Sequence, residues 1–273
     1  MIKDVTLGQF FPGQSILHRM DPRMKIILTL LYITAVFTAR SISAFILIVS
    51  VTFFLLLSSR IPVRTILRGM KPLAFIIVFT AVINIFWTKG ETLLVDWYFI
   101  HIYAEGLLYA LLMILRILCL LVGTCLLLTY TTSPIALTDG LERLLAPLKV
   151  LHIPVHEFSM MMTIALRFIP TLIEETDKIM SAQKSRGADF SSGSLIARAR
   201  ALLPIIIPLF ISALRRAEEL ATAMECRCYR GGEGRTRMTE RRLCTLDWVG
   251  FAAFCDMIAA TLLLNTYLPL YHI

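Results

Sequence analysis

Long apolar stretches without charge restrict the folds open to this chain. Ser41–Ser59 contains no charged residue over 19 positions, and Pro72–Thr88 contains none over 17. A helix needs about 20 mainly apolar residues to cross the hydrocarbon core of a bilayer. Further apolar stretches are Ile26–Ala39, Met257–Ile273 and Gly106–Tyr130, the last interrupted once by Arg116. Apolar residues make up 57% of the chain, against about 45–50% in soluble domains, so we predict an all-α integral membrane protein.

Basic residues between the spans predict their orientation, because loops rich in Lys and Arg stay in the cytoplasm. The first span follows Arg19, Arg23 and Lys25. The second and third spans are separated by Arg60, Arg64, Arg68 and Lys71. The prediction is about five transmembrane helices with a cytoplasmic N-terminus. Before the fourth span, Leu93–Tyr103 is aromatic and β-prone, which predicts a short hairpin.

Charged residues concentrate in one part of the chain. Residues 131–243 hold 16 of the 27 basic residues and 12 of the 19 acidic ones. We therefore predict an N-terminal membrane domain of four spans (1–130), a cytoplasmic coupling domain (131–243) and a final span (244–273). The coupling domain is expected to contain three helices, at Pro134–Leu148, Val155–Arg186 and Leu195–Tyr229. The second and third would each be roughly 50 Å long.

These two long helices end alike, in an arginine between small residues. The first end reads Ser185-Arg186-Gly187 and the second reads Cys226-Arg227-Cys228. Each arginine follows an apolar residue of its helix by seven positions, so it lies at the edge of an apolar stripe. A planar guanidinium there can make several hydrogen bonds to a partner protein. The helix dipole also favours arginine at such ends, so spacing alone leaves contact with lipid or solvent open.

Arg230 is a secondary candidate for the second end. Arg230 follows Glu218-Glu219 at the spacing at which Arg186 follows Glu174-Glu175. We favour Arg227, because Arg230 falls off the apolar stripe of its helix.

The residues around both ends resemble a known family. The two segments are Ala182-Gln183-Lys184-Ser185-Arg186-Gly187-Ala188-Asp189-Phe190 and Ala223-Met224-Glu225-Cys226-Arg227-Cys228-Tyr229-Arg230-Gly231-Gly232-Glu233-Gly234-Arg235. Together with Asp21-Pro22-Arg23-x-Lys25 before the first span, they are similar to the transmembrane T component (EcfT, CbiQ-like) of energy-coupling factor ABC transporters. In that family two Ala-Arg-Gly-type signatures dock into a pair of ATPases. Ser185 and Cys226 replace the alanines, and Cys228 replaces the second glycine.

The resemblance implies a scaffold without catalytic residues in a bacterial cytoplasmic membrane. Such a scaffold links two cytosolic ABC ATPases to a membrane-embedded S component that captures a vitamin or similar micronutrient. The implied ATPase-docking residues are Ser185, Arg186, Gly187, Cys226, Arg227 and Cys228. Membrane lipid is a further expected partner, whereas no nucleic acid, cofactor or metal is expected. No Gly-x-x-x-x-Gly-Lys-Ser/Thr loop occurs, so ATP is expected to bind only the partners.

Two other functions stay open. A self-contained secondary transporter needs ionisable groups at mid-membrane, and Arg116 is the one candidate. The alternative role for Arg116 is to bond carbonyl groups within the helix bundle. A membrane-embedded enzyme needs clustered catalytic or metal-binding groups, for which the nearest set is His152, His156 and Glu157. Zinc binding by Cys226, Cys228 and Cys244 has a poor ligand spacing.

Overall fold

Helices form most of the structure. The computed structural model describes residues 10–88, 92–97, 100–151, 154–188, 190, 194–232 and 243–267. Its helices are α1 (Ile16–Arg19), α2 (Pro22–Thr38), α3 (Ile42–Ser59), α4 (Val63–Met70), α5 (Ala74–Trp87), α6 (Ala104–Thr124), α7 (Pro134–Leu144), α8 (Val155–Ser185), α9 (Leu195–Cys226) and α10 (Thr245–Tyr267). Strands β1 (Leu93–Trp97) and β2 (Ile100–Tyr103) pair as one antiparallel hairpin. Both the helical membrane fold and the short hairpin are confirmed.

The described residues divide into two compact units. One contains α1 to α7, the hairpin and α10, and the other contains α8 and α9. The predicted helix at Pro134–Leu148 ends earlier, at Leu144, and a 3₁₀ turn follows at Ala146–Leu151. The two long helices begin where they were predicted and end within three residues of the predicted positions. The division of the chain at residues 130 and 243 stays a prediction.

Four helical segments within the described residues are long and apolar enough to span a bilayer. They are Ile42–Ser59, Val63–Trp87, Ala104–Thr129 and Thr245–Tyr267. The first predicted span, Ile26–Ala39, falls largely within α2, which has 17 residues. This helix is about 25 Å long, slightly less than the roughly 30 Å of a hydrocarbon core.

Helix α2 forms the centre of its unit, packed between α3, α6, α7 and α10. Its Tyr32 is fully buried. The Tyr32 hydroxyl donates to the Cys119 carbonyl oxygen at 2.9 Å and bonds the Thr52 hydroxyl at 2.7 Å. Gly123 of α6 lies against the same ring, where a Cβ would come within 2.2 Å of a ring carbon. A glycine at this point therefore allows the tyrosine to lie between the helices.

The residues Asp21-Pro22-Arg23-x-Lys25 build the start of α2. The Asp21 carboxylate accepts a hydrogen bond from the Arg23 backbone N–H at 2.9 Å, which caps the helix. The buried Lys25 ammonium donates to the Thr131 carbonyl oxygen at 2.9 Å and to the Thr132 hydroxyl at 3.0 Å. These bonds tie α2 to the segment that follows α6, so the motif has a structural role.

Arg116 bonds a carbonyl group inside the helix bundle. Its guanidinium donates to the Ala39 carbonyl oxygen at 2.7 Å, at the C-cap of α2. The guanidinium carbon also lies 5.1 Å from the centre of the Phe45 ring. Of the two roles left open by the sequence, the contacts support the structural one.

Asp247 is a buried carboxylate that joins the first turn of α10 to the start of α2. One of its oxygens accepts the Asp21 N–H at 2.9 Å, and the other accepts the Cys244 N–H at 2.8 Å. Asp247→Asn replaces one acceptor oxygen with a donor that faces another donor, so we expect a loss of about 2 kcal/mol of stability. A lower melting temperature of the purified chain would show it. Asp256→Asn, at an exposed position of the same helix, is the matched control.

Candidate functional site

Helix α8 ends in a left-handed turn that satisfies its last carbonyl groups. Gly187 has a φ of +86°, which glycine adopts at little cost. The Ala188 N–H donates to the Gln183 carbonyl oxygen at 3.0 Å. The Gly187 N–H donates to the Lys184 carbonyl oxygen, also at 3.0 Å. These two bonds define a Schellman motif, which ends the helix within one residue of the predicted position.

Helix α9 ends in the same motif, with a cysteine in the left-handed position. Cys228 has a φ of +56°. The Tyr229 N–H donates to the Met224 carbonyl oxygen at 3.0 Å, and the Cys228 N–H donates to the Glu225 carbonyl oxygen at 2.8 Å. The two bonds repeat the pattern at the end of α8, so the backbone of both helix ends is the same.

The shared bonding pattern aligns the two ends residue by residue. Cys228 takes the position of Gly187, and Arg227 therefore takes the position of Arg186, 41 residues earlier. Arg230 lies two residues beyond the left-handed position, outside the motif. The geometry thus favours Arg227 over Arg230 as the counterpart of Arg186.

The predicted docking residues are all exposed. These are Ser185, Arg186 and Gly187 at the first end, with Cys226, Arg227, Cys228 and the secondary candidate Arg230 at the second. Within the described part of the chain, the guanidinium groups of Arg186 and Arg227 make no ion pair or hydrogen bond. Because the capping bonds use backbone groups alone, both arginine side chains are available to a partner.

Helices α8 and α9 are held together where they cross by a polar cluster. An Arg216 guanidinium nitrogen lies 3.0 Å from a Glu175 carboxylate oxygen. The other Glu175 oxygen accepts a hydrogen bond from the Ser212 hydroxyl. The Arg216 guanidinium also lies 5.7 Å from the centre of the Phe168 ring. This cluster sets the register of one helix against the other.

The two arginine ends lie on opposite sides of this crossing. Glu175 precedes Arg186 by 11 residues, and Arg216 precedes Arg227 by the same number. Each end is therefore about 16 Å of helix away from the crossing. After α9, the chain reaches the start of α8, where a Cβ on Gly232 would lie 2.7 Å from the His156 ring. Beyond the crossing, α9 therefore leads back towards the start of α8, and the C-terminal ends of the two helices lie apart.

The bridge at the crossing joins corresponding positions of the two helices. Under the alignment of the helix ends, Glu175 of α8 corresponds to Arg216 of α9, and these two residues contact each other. Contact between equivalent positions is typical of elements related by a two-fold axis. Each helix end carries an exposed arginine in the same capping motif, so the unit presents one kind of end twice.

The crossing cluster was not predicted from the sequence. Glu174–Lys178 and Arg215–Glu219 have the i,i+4 spacing that favours an ion pair within one helix, and the structure shows neither pair within the described residues. Their chain neighbours Glu175 and Arg216 form the bridge instead. Spacing within one helix cannot identify an ion pair between two helices. The sequence indicated only that α8 contains an acidic residue and α9 a basic one near the middle of each helix.

Asp256 was also missed. It lies halfway along α10 and is exposed. Arg116 is therefore not the one ionisable group within a predicted span, since Asp256 falls inside the final span predicted at 244–273.

No three His, Cys, Asp or Glu side chains within the described residues are grouped closely enough to hold a metal ion. His152 lies outside those residues, so the set His152, His156 and Glu157 is described only in part. Cys244 is exposed, and hydrogen bonds from the backbone of Leu246 and from Thr245 lower the pKa of its thiol.

Because Cys228 adopts a left-handed conformation, we expect substitutions at the two helix ends to change local stability in opposite directions. Cys228→Gly removes the steric penalty of a side chain at positive φ, about 1 kcal/mol. Gly187→Ala introduces the same penalty. We expect slower amide hydrogen exchange at the end of α9 in the first variant and faster exchange at the end of α8 in the second. Equal effects of one sign would contradict the shared motif.

The helices define a polytopic α-helical membrane protein with two long helices capped in the same way. Comparison with known proteins agrees with this class. Residues 13–238 match the family model CbiQ, described as cobalt transport protein. The chain belongs to this CbiQ family, whose members similar to it include the EcfT transmembrane proteins of energy-coupling factor transporters.

Individual relatives cover nearly the whole chain. The energy-coupling factor transporter transmembrane protein EcfT of Ruminiclostridium cellulolyticum is 56% identical over 247 residues, which are 90% of this chain and 92% of the relative. The protein of the same name from Clostridium kluyveri is 52% identical over 259 residues, or 94% and 95% of the two chains. Both are named as transmembrane proteins of a transporter, and the suspected relation to EcfT is confirmed.

Proposed function

We propose that this chain is the non-catalytic scaffold of an energy-coupling factor transporter. It links two cytosolic ABC ATPases to a membrane-embedded S component that binds a vitamin or similar micronutrient, and it transmits ATP-driven movement. ATP is hydrolysed in the partner subunits. The observation that supports this best is the pair of identically capped helix ends with exposed arginines, on opposite sides of one crossing.

The ends suit two copies of one kind of partner. Each presents a guanidinium beside small side chains, which allows a partner's backbone to approach closely. Its five donors can bond carboxylate and carbonyl groups together, and arginine is enriched among residues that dominate interface affinity. Because both ends have the same capping motif and an exposed arginine, two ATPases with the same groove can bind in the same way. The docking residues are Arg186 and Arg227, with the small residues that flank them.

The crossing supports transmission of movement. A polar cluster between α8 and α9 resists sliding, so displacement of one helix end is passed to the other helix. Coupling of this kind needs a rigid element whose conformational equilibrium is shifted by binding at either site. ATP-driven movement of the ATPases would then tilt both helices together.

The S component is expected to contact apolar residues of α8 and α9. Exposed side chains of this kind are Met161 and Met162 on α8, and Leu202, Leu203, Ile206 and Ile207 on α9. Exposed methionines can adapt to different partners. The same residues also suit contact with lipid acyl chains. The proposal includes a location in the bacterial cytoplasmic membrane, with the cytoplasmic N-terminus that the basic loops favour.

Co-purification tests the proposal. The full chain, co-expressed with two ATPase subunits and an S component, should retain all three partners through affinity purification in detergent. Uptake into proteoliposomes should stop when the ATP-binding lysine of the ATPases is substituted. A secondary transporter would instead take up substrate without the ATPases, driven by an ion gradient. A membrane-embedded enzyme would convert a substrate with neither partner present.

A further inference from the structure

The segment around α4 carries a concentrated positive charge. Exposed basic residues occur at four positions, Arg60, Arg64, Arg68 and Lys71. The sequence contains no Asp or Glu between residues 22 and 90. Within the described residues, none of these four side chains makes an ion pair. The charge is therefore left for a partner outside this chain.

Three of these cations share one face. Arg64, Arg68 and Lys71 are spaced i, i+4 and i+7, so they lie in a row along the helix. Beside them runs an apolar row that includes Leu67, which is 61% exposed, and the partly buried Met70. The two rows line one open groove together with Ile77 of α5. The groove thus has a cationic wall and an apolar wall.

The groove lies at the start of a membrane span. Helix α4 continues through a 3₁₀ turn into α5, and Val63–Trp87 as a whole is apolar enough to cross a bilayer. Its first two turns are strongly amphipathic, a property of helices at the membrane surface. The cations therefore lie at the depth of lipid phosphates, whereas Ile77 lies deeper, along the acyl chains.

We propose that this groove binds an anionic phospholipid. Its phosphate lies between Arg64, Arg68 and Lys71, and one acyl chain lies along Leu67, Met70 and Ile77. Basic pockets at the cytoplasmic ends of spans bind acidic headgroups in this way. A soluble protein could reach the cations but not the apolar wall beside α5, so lipid is the occupant that matches both walls. A net negative headgroup complements the charge better than a zwitterionic one.

Native mass spectrometry of the delipidated full chain in detergent tests the site. The probes are dioleoyl phosphatidylglycerol and dioleoyl phosphatidylcholine, added separately. We expect the first lipid to be retained preferentially, and Arg64→Gln or Arg68→Gln to weaken its binding about fivefold each. Arg64→Lys with Arg68→Lys keeps the charge and should retain binding, which separates loss of the site from misfolding.

Arg60→Gln is the matched control. It removes one positive charge from the same basic segment, but Arg60 does not line the groove. Binding of phosphatidylglycerol should be unchanged in this variant. Equal weakening by Arg60→Gln and Arg64→Gln would show a response to the net charge of the loop and would overturn the site. Equal retention of both lipids by the unaltered chain would overturn it as well. Neither measurement involves the ATPases, so the result is independent of the proposed scaffold function.

Discussion

Reversing the charge at both helix ends, Arg186→Glu with Arg227→Glu, should abolish co-purification of the ATPases and stop uptake. Each arginine is expected to contact carboxylate or carbonyl oxygens in an ATPase groove. Removing one partner of such a charged pair costs about 2–5 kcal/mol, and a glutamate adds repulsion. A loss of 2 kcal/mol at each end lowers the affinity about 30-fold. Both side chains are exposed and bond no other side chain among the residues that the structure describes, so the fold should persist.

The single variants sharpen this test. Arg186→Glu and Arg227→Glu should each lose one ATPase contact and leave the other, which a pull-down with two differently tagged ATPases can resolve. Arg230→Glu is the control for the second end, because Arg230 lies outside the capping motif. A double variant that binds both ATPases and supports uptake would show that these ends are not the contact. Loss of binding in Arg230→Glu alone would move the second site to Arg230.

Local patterns predicted the elements of this fold well. Hydropathy located Ser41–Ser59 and Gly106–Tyr130 as spans, because a bilayer imposes length and apolarity directly on the sequence. Glycine after a charged helix predicted the end of α8 at Gly187. The end of α9 was harder, since Cys228 adopts the left-handed conformation without being glycine. Arg227 could still be predicted as the counterpart of Arg186, because it lies at the edge of an apolar stripe.

Contacts between distant parts of the chain could not be predicted in this way. Asp247 bonds the backbone of Asp21, 226 residues away, and nothing near Asp247 in the sequence indicates its partner. The two long helices had the same limitation. Glu174-Glu175 and Glu218-Glu219 are 44 residues apart, whereas Arg186 and Arg227, which the structure aligns, are 41 residues apart. The register between two helices depends on how their side chains pack, and the spacing of residues within one helix gives no information about that packing.

The Glu175–Arg216 bridge offers a way to separate docking from transmission. Glu175→Arg places two cations against each other at the crossing, where the native atoms are 3.0 Å apart. Both side chains are about one quarter exposed, so solvent weakens the repulsion, and we expect a cost of about 2 kcal/mol. The helix ends lie about 16 Å away and keep their own capping bonds. The ATPases should therefore still co-purify, while ATP-driven uptake falls about tenfold or more.

The charge-swapped double variant, Glu175→Arg with Arg216→Glu, decides whether the bridge itself is responsible. Restoring opposite charges at the crossing should recover part of the uptake, and the interaction energy of the double-mutant cycle should be favourable by about 1–2 kcal/mol. Recovery is expected to be partial, because the hydrogen bond between Ser212 and Glu175 is lost. Uptake that stays normal in Glu175→Arg would show that the crossing does not carry the movement. Loss of ATPase binding in Glu175→Arg would show that the crossing also positions the helix ends. The bridge would then be needed for docking as well as for transmission of movement.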